Sequence, residues 1–226
     1  MSYLPSSSMR LRFAPAPIAR RPLALLALAG AAACAPRAAP LVGTPAPAGL
    51  PEARLSGSRR VVFRWALDDA SLRARGEGVA RISAPDSARL DFFLDGGMGG
   101  GTAFLIGDHV DAPGGDLVRR LLPPPALLWA ALGRLAVPAA ADTAARLLGD
   151  TLRADIGRDP TFRVTFVDGR LRGVARIEDG RRQEWVAVPD DSTVEYRHEG
   201  ARRHLVLTIT RADRVEGGFD ASIWPH

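Results

Sequence analysis

Apolar and polar residues alternate with a period of two through the chain, on both sides of one exceptional segment, residues 116–149. In the first block Val61, Phe63, Trp65 and Leu67 share one face of a strand. This period is typical of half-buried antiparallel strands, whose side chains point alternately to the core and to solvent. Continued along the chain, it predicts about eleven antiparallel strands and a mainly β protein of the α+β class.

Two Asp-Gly pairs indicate tight hairpins in the second block. Asp168-Gly169 and Asp179-Gly180 separate three alternating runs, and Asp-Gly between such runs is a strong hairpin signal. The pattern continues to residues 217–224, which we predict to be the last strand.

Residues 116–149 predict two or three short, very apolar helices instead. The first begins behind Asp116 as N-cap, and three prolines from Pro123 end it. The second starts at Pro125 and has Gly133 as its C-cap. A third covers residues 139–148. Two interpretations are open: the helices are ordinary core cover, or they form a lid over the mouth of a curved sheet.

The N-terminus predicts an export signal rather than folded structure. Residues 1–33 contain arginines, no acidic residue and then a short apolar run, which is the pattern of a secretory signal peptide. The three alanines before Cys34 resemble a bacterial lipobox, in which the cysteine thiol receives a diacylglycerol. Cleavage nearby with an incidental Cys34 is the alternative. Residues 34–57, rich in Pro and Ala, predict a tether, and residues 58–226 the folded domain.

The high net charge of the chain does not predict a nucleic-acid binder. Of the 30 basic residues, all arginine, four precede Cys34, which leaves 26 against 25 acidic residues, a net charge of +1. We find no basic patch with interleaved aromatic residues, so we expect no nucleic-acid partner.

Several kinds of catalytic chemistry lack their residues. The chain has no lysine and no G-x-S-x-G motif, and Cys34 is its sole cysteine, so a P-loop lysine, a Schiff base and a nucleophile elbow are excluded. The four histidines have no short metal-ligand spacing. We therefore expect no catalytic residues, no metal and no cofactor, and a protein that is not an enzyme.

Two stretches carry a resemblance to a known family. Residues 62–94 run from an aromatic strand with Phe63 and Trp65 into a Gly-rich strand, and residues 122–138 read LPPPALLWAALGRLAVP. Together with the lipobox-like Cys34, they resemble the Lol family of outer-membrane lipoprotein carriers and receptors, of LolB type, with the related LolA and LppX-type lipid-binding lipoproteins. The resemblance implies an unclosed antiparallel β half-barrel around an apolar cavity, with residues 116–149 as its helical lid.

The resemblance also implies a ligand site made of apolar side chains. The implied lining residues lie on strands and on the second helix: Phe63, Trp65, Leu90, Phe92, Phe162, Val164 and Phe166, with Leu128, Trp129 and Leu132. Met98, in a glycine-rich loop, matches by character the exposed apolar loop residue of the receptor.

The function implied is that of a lipid-anchored monomer in the cell envelope, facing the periplasm from the outer membrane. Its partners would be acyl chains of lipids or lipoproteins and a periplasmic carrier protein, and it would serve lipid or lipoprotein transport. Two alternatives are open. A structural or assembly lipoprotein would have a packed interior and a protein partner, and an envelope hydrolase would have a pocket with convergent carboxylates.

Overall fold

The computed structural model describes residues 37–46, 49–97, 99–113, 115–137 and 142–225. Cys34, Met98 and the signal peptide predicted over residues 1–33 lie outside the described residues.

Alternation produces the strands that it predicts, and they join into one antiparallel sheet. The first block consists of six strands: β1 (Thr44–Pro45), β2 (Ser58–Asp69), β3 (Leu72–Ser83), β4 (Ser87–Leu94), β5 (Gly100–Ile106) and β6 (His109–Asp111). Two helices follow, α1 (Asp116–Leu121) and α2 (Pro125–Ala131). The second block consists of seven strands: β7 (Thr143–Leu148), β8 (Thr151–Ile156), β9 (Thr161–Val167), β10 (Arg170–Glu178), β11 (Arg181–Ala187), β12 (Thr193–His198) and β13 (Arg203–Val215).

The long strands β2 and β13 join the two blocks at the middle of the sheet. The strand order is β1-β7-β8-β9-β10-β11-β12-β13-β2-β3-β4-β5-β6. In the described part of the chain β1 and β6 remain the two edges, so the sheet is unclosed, and the apolar residues of its concave face form one core with the helices. The expectation of an unclosed antiparallel half-barrel with a helical insert is confirmed.

Glycines on β3 make room for aromatic rings of β2. Phe63 pairs with Gly78 and Trp65 with Gly76, and a Cβ on Gly78 would lie 2.4 Å from Phe63 Cζ. The space that these small residues leave is therefore filled by the protein's own side chains.

Three expectations need correction. The described residues contain thirteen strands rather than eleven. Residues 143–148 of the predicted third helix are strand β7, because antiparallel pairing with β8 along its whole length outweighs the helix propensity of its Ala, Leu and Arg residues. Residues 217–224 are not a strand, since Gly217 and Gly218 both adopt positive φ and a short 3₁₀ helix, Ala221–Ile223, follows.

The helix ends agree in part with the prediction. Pro125 is the first residue of α2, and Gly133 adopts a φ of 85° just past its end. The N–H of Gly133 bonds to Ala130 O and that of Arg134 to Trp129 O, which is the Schellman arrangement. Asp116, however, is the first residue of α1 rather than its cap, which is Gly115.

Residues of the predicted tether lie against the domain. Ala38 N–H donates to Gly180 O over 2.8 Å, and β1 pairs with β7. Farther along, Ala53 O accepts a hydrogen bond from Leu135 N–H, and Leu50 packs on the core. The described part of this segment is thus docked on the sheet.

Candidate functional site

The concave face is built from the aromatic residues that the alternation selected. Phe63 and Phe92 lie on either side of Gly78, with ring centroids 5.8 Å apart, and Trp65 meets Phe92 at 6.3 Å, both edge to face. Leu90 is buried beside them on β4. Four of the predicted lining residues are therefore one contiguous apolar surface.

The remaining predicted residues form the other side of this core. Val164 and Phe166 of β9 are fully buried, whereas Phe162 is only partly buried. Helix α2 packs on β10 and β11 and contributes Leu128, Trp129 and Leu132, all buried.

A small apolar cavity lies between the helices and the sheet. Its volume is about 20 Å³, which is room for about one water molecule. It brings together three of the predicted residues with eight others: Leu90, Phe92 and Leu128, with Leu121, Leu122, Pro123, Ala131, Val194, Tyr196, Leu205 and Leu207. The helices thus fill most of the space that the resemblance assigns to a ligand.

Polar contacts hold α2 at its C-terminal end. The guanidinium of Arg59, at the start of β2, donates to the carbonyl oxygen of Leu132, the C-cap residue. Its Nε is buried without a hydrogen-bond partner, and burial lowers the pKa of Arg59. Burying a cation next to an apolar core costs desolvation free energy. The contact of Arg59 with α2 is therefore specific, but it offsets only part of that cost.

A charged group that the sequence analysis missed lies on the same concave face. Glu184 of β11 is 2% exposed, and its carboxylate accepts hydrogen bonds from Arg176 at 2.9 Å and from the Tyr196 hydroxyl at 2.8 Å. Burial and the adjacent Glu184 carboxylate raise the pKa of Tyr196 above its usual range. These two donors satisfy the buried carboxylate of Glu184.

Polar residues on neighbouring strands extend from Glu184 as a row across the concave face. Glu184 pairs with His198, His198 with Arg203, and the guanidinium of Arg203 donates to Asp69 at 3.0 Å. The row borders a cleft of about 490 Å³ beneath Pro123 and Pro124, which link the helices, and Pro125, the first residue of α2. The concave face is therefore apolar over most of its area and polar at one end.

The signal for this row was present but weak. Glu184 stands two residues before buried Val186 on the same strand, so alternation alone places a carboxylate inside. Its partners come from other strands and could not be paired with it from one sequence.

Two further kinds of feature, a cluster of metal ligands and a membrane-spanning helix, are absent from the described residues. They contain no group of three or more His, Cys, Asp or Glu residues placed to hold a metal ion. None of their helices is long and apolar enough to cross a membrane.

Comparison with known proteins rests on structure alone. No protein-family model matches the sequence, and no curated protein does. The structure is similar to that of a LolA superfamily protein from Nitrosomonas europaea, with a TM-score of 0.51 at 10% identity, over 78% of this chain and 94% of that chain. The chain has a LolA-like fold. The family resemblance drawn from the sequence is confirmed at the level of the fold.

Two further solved structures match less closely. One is described as an outer membrane lipoprotein-sorting protein domain, from Vibrio parahaemolyticus, with a TM-score of 0.46 at 8% identity over 74% of this chain and 88% of that one. The other is a DUF1329 family protein from Desulfovibrio piger, with a TM-score of 0.46 at 7% identity over 75% and 90%.

Proposed function

We propose that this protein is a lipid-anchored envelope protein that binds acyl chains of lipids or lipoproteins between its sheet and its two helices. It would serve lipid or lipoprotein transport at the outer membrane, exchanging ligand with a periplasmic carrier. The observation that carries the proposal is the apolar concave face of a LolA-like fold, covered in the described part of the chain by two helices of six and seven residues.

Ligand entry requires the helices to move, because the cavity beneath them is about 20 Å³. Each acyl CH₂ that enters an apolar site contributes about 0.8 kcal/mol. An acyl chain can therefore replace the contacts that α1 and α2 make with the sheet. No covalent step, nucleotide or metal is needed for such an exchange.

The link between the helices suits this movement. Pro123 and Pro124 of this link, and Pro125 at the start of α2, carry no backbone N–H, so they donate no hydrogen bond that the movement would break. A displaced α2 would break the hydrogen bonds from Arg59 to Leu132 O and from the Trp129 indole to Gly107 O.

A photoreactive fatty acid tests the site directly. We expect the labelled full chain, after proteolysis and fragment-ion sequencing of the labelled peptides, to carry the crosslink at Leu90, Phe92 or Leu128. Labelling confined to the outer face of the sheet, for instance at Phe93, which is 53% exposed, would contradict the proposal.

Anchoring at Cys34 is a separate part of the proposal with its own test. Cells fed labelled palmitate should incorporate it into the wild-type chain and not into Cys34→Ser. Incorporation into neither chain would remove the anchor and leave acyl-chain binding to be judged on the crosslinks alone.

The packed interior favours a second candidate, a structural or assembly lipoprotein that binds a protein partner. In that case the helices never leave the sheet. The two candidates are distinguished by the same photoreactive fatty acid, since a permanently closed core gives no crosslink at Leu90 or Phe92.

A further inference from the structure

A groove lined by arginine runs over the outer face of the sheet, across strands β8 to β11. Its volume is about 480 Å³, and its floor consists of small residues such as Thr165, Gly173 and Ala175. Its described lining contains five arginines and no carboxylate: Arg37, Arg153, Arg163, Arg172 and Arg182. No part of the proposed acyl-chain site lies on this face.

Two of these arginines are neutralised by neighbours. Arg163 forms a two-pronged ion pair with Asp155, at 2.7 and 2.8 Å, which raises the pKa of the arginine. Arg172 lies 3.1 Å from Asp191. Within the described residues Arg37, Arg153 and Arg182 have no such ion pair.

Arg182 is held in place without an anionic partner. Its guanidinium lies 3.7 Å from the centroid of the Trp185 ring, and its Nε is buried with no hydrogen-bond partner. Because Nε is enclosed, the two terminal Nη groups are the donors left for an outside ligand, and such a pair matches the oxygens of a phosphate.

Apolar side chains are exposed where the N-terminal segment reaches the sheet edge. Val42 is 53% exposed and Leu148 is 58% exposed. The two residues are close together, because a Cβ atom placed on Gly43, next to Val42, would lie 3.3 Å from the Cβ of Leu148. Leu148 stands two residues from Arg146, which pairs with Arg153. Exposed aliphatic groups beside arginines are typical of surfaces that dock on the headgroup region of a bilayer.

The groove is also tied to the segment that follows the predicted lipidation site. The backbone of Arg37 forms an isolated antiparallel β-bridge with that of Arg181. The Arg163 guanidinium donates a hydrogen bond to the carbonyl oxygen of Ala39. Two residues separate Cys34 from Arg37. Three Cα–Cα steps of 3.8 Å therefore keep their Cα atoms at most about 11 Å apart. A lipid on Cys34 would therefore hold this face close to the bilayer surface.

We propose that the outer face of β7–β11 docks on anionic phospholipid headgroups, with Arg153 and Arg182 binding lipid phosphates and Leu148 entering the interface. The inference rests on the proposed membrane anchoring but not on acyl-chain binding. It fixes the orientation of the domain: the outer face of β7–β11 meets the membrane, and the concave face with its helices points away.

The test uses the full chain carrying Cys34→Ser, so that binding does not depend on a covalent lipid. Flotation is measured with vesicles of phosphatidylcholine alone and of phosphatidylcholine mixed with phosphatidylglycerol, at low and high salt. One variant combines Arg153→Ala with Arg182→Ala. The matched control combines Arg64→Ala with Arg75→Ala, two exposed arginines elsewhere on the outer face that are paired to Glu77 and Asp95.

We expect binding to the anionic vesicles only, weakened by high salt. Each groove arginine removed should weaken binding about fivefold, whereas the control should stay within about twofold. Leu148→Ser, at an exposed site that leaves the core intact, should also weaken binding. Equal binding by the two double variants, or binding that does not depend on the charge of the vesicle, would overturn the inference.

Failure here is distinct from failure of the proposed function. Loss of palmitate labelling at Cys34 would remove the anchor, and absent fatty-acid crosslinks would remove the acyl-chain site. Neither result changes the vesicle-charge dependence that the groove predicts for Cys34→Ser.

Discussion

The indole Nε1 of Trp129 donates a hydrogen bond of 2.6 Å to the carbonyl oxygen of Gly107, in the turn between β5 and β6. On its other side α2 packs on β10 and β11. Helix α2 therefore lies across the concave face of the unclosed sheet and contacts both blocks of strands. Trp129, fully buried, supplies both the apolar contact and the polar tie at one wall.

Replacing this tie should destabilise the protein more than its loss of volume suggests. Trp129→Phe leaves the partly buried carbonyl of Gly107 without this donor, and we expect a loss of about 1–3 kcal/mol in the free energy of unfolding. Urea unfolding measures it. Trp185→Phe, on the outer face, is the control and should cost under about 1 kcal/mol; equal losses would contradict the assigned role of the Gly107 contact.

Arg59 should control how readily α2 leaves the sheet. Arg59→Leu removes the bond to Leu132 O together with a poorly compensated buried charge. We expect faster amide hydrogen exchange in α2, measured by mass spectrometry, because displacement of the helix then breaks one hydrogen bond fewer. Arg60→Leu, its neighbour paired with Asp213 on the outer face, should leave α2 exchange unchanged. Unaltered exchange in Arg59→Leu would show that the bond from Arg59 to Leu132 O does not control opening of α2.

Phe92 and Phe93 are adjacent residues on opposite faces of β4. Phe92 is 3% exposed and contacts Phe63 and Trp65, whereas Phe93 is 53% exposed. Phe92→Ala should lower the free energy of unfolding by about 3–5 kcal/mol, and Phe93→Ala should change it by under about 0.5 kcal/mol. The reverse order in thermal or urea unfolding would mean that the register of β4 is wrong.

Asp69 should make the fold sensitive to acid. Hydrogen bonds from the Ser71 backbone N–H and then from Arg203 lower its pKa. Because the pKa is lower in the folded state, Asp69 stabilises the fold above the unfolded value of about 3.9, and this contribution disappears as pH falls through the folded pKa.

Asp69→Asn should therefore lose less stability than the wild type between neutral pH and about pH 3. Urea midpoints at the two pH values measure it, with Asp68→Asn as the control for removal of one charge. If Asp69→Asn and the wild type lost equal stability on acidification, the Arg203–Asp69 contact would have no part in acid sensitivity.

Alternation predicted the concave face well because burial itself imposes a period of two on a strand. That period places Phe63, Trp65, Leu90 and Phe92 on the inner faces of their strands, and all four are buried. The turn chemistry of Pro125 and Gly133 likewise located both ends of α2, since each residue fits one backbone conformation that a helix end requires.

Strand β7 escaped prediction because its sequence carries no alternation. Thr143–Leu148 reads TAARLL, and its strand conformation comes from pairing with β8 and β1. The charged row from Glu184 to Asp69 escaped for a related reason, since its members are distant in sequence. The arginine groove required knowing that residues 37–41 fold back on β9–β11.

The presence of an exchangeable acyl chain is the central claim, and native mass spectrometry tests it most directly. The full chain with Cys34→Ser, expressed in a bacterium and kept under native conditions, should carry a stoichiometric adduct of acyl-chain mass. The same sample under denaturing conditions should lose that adduct, which distinguishes a bound lipid from a covalent anchor. A native mass equal to the bare chain, with no uptake of added phospholipid or acylated peptide, would contradict acyl-chain binding and favour the assembly lipoprotein.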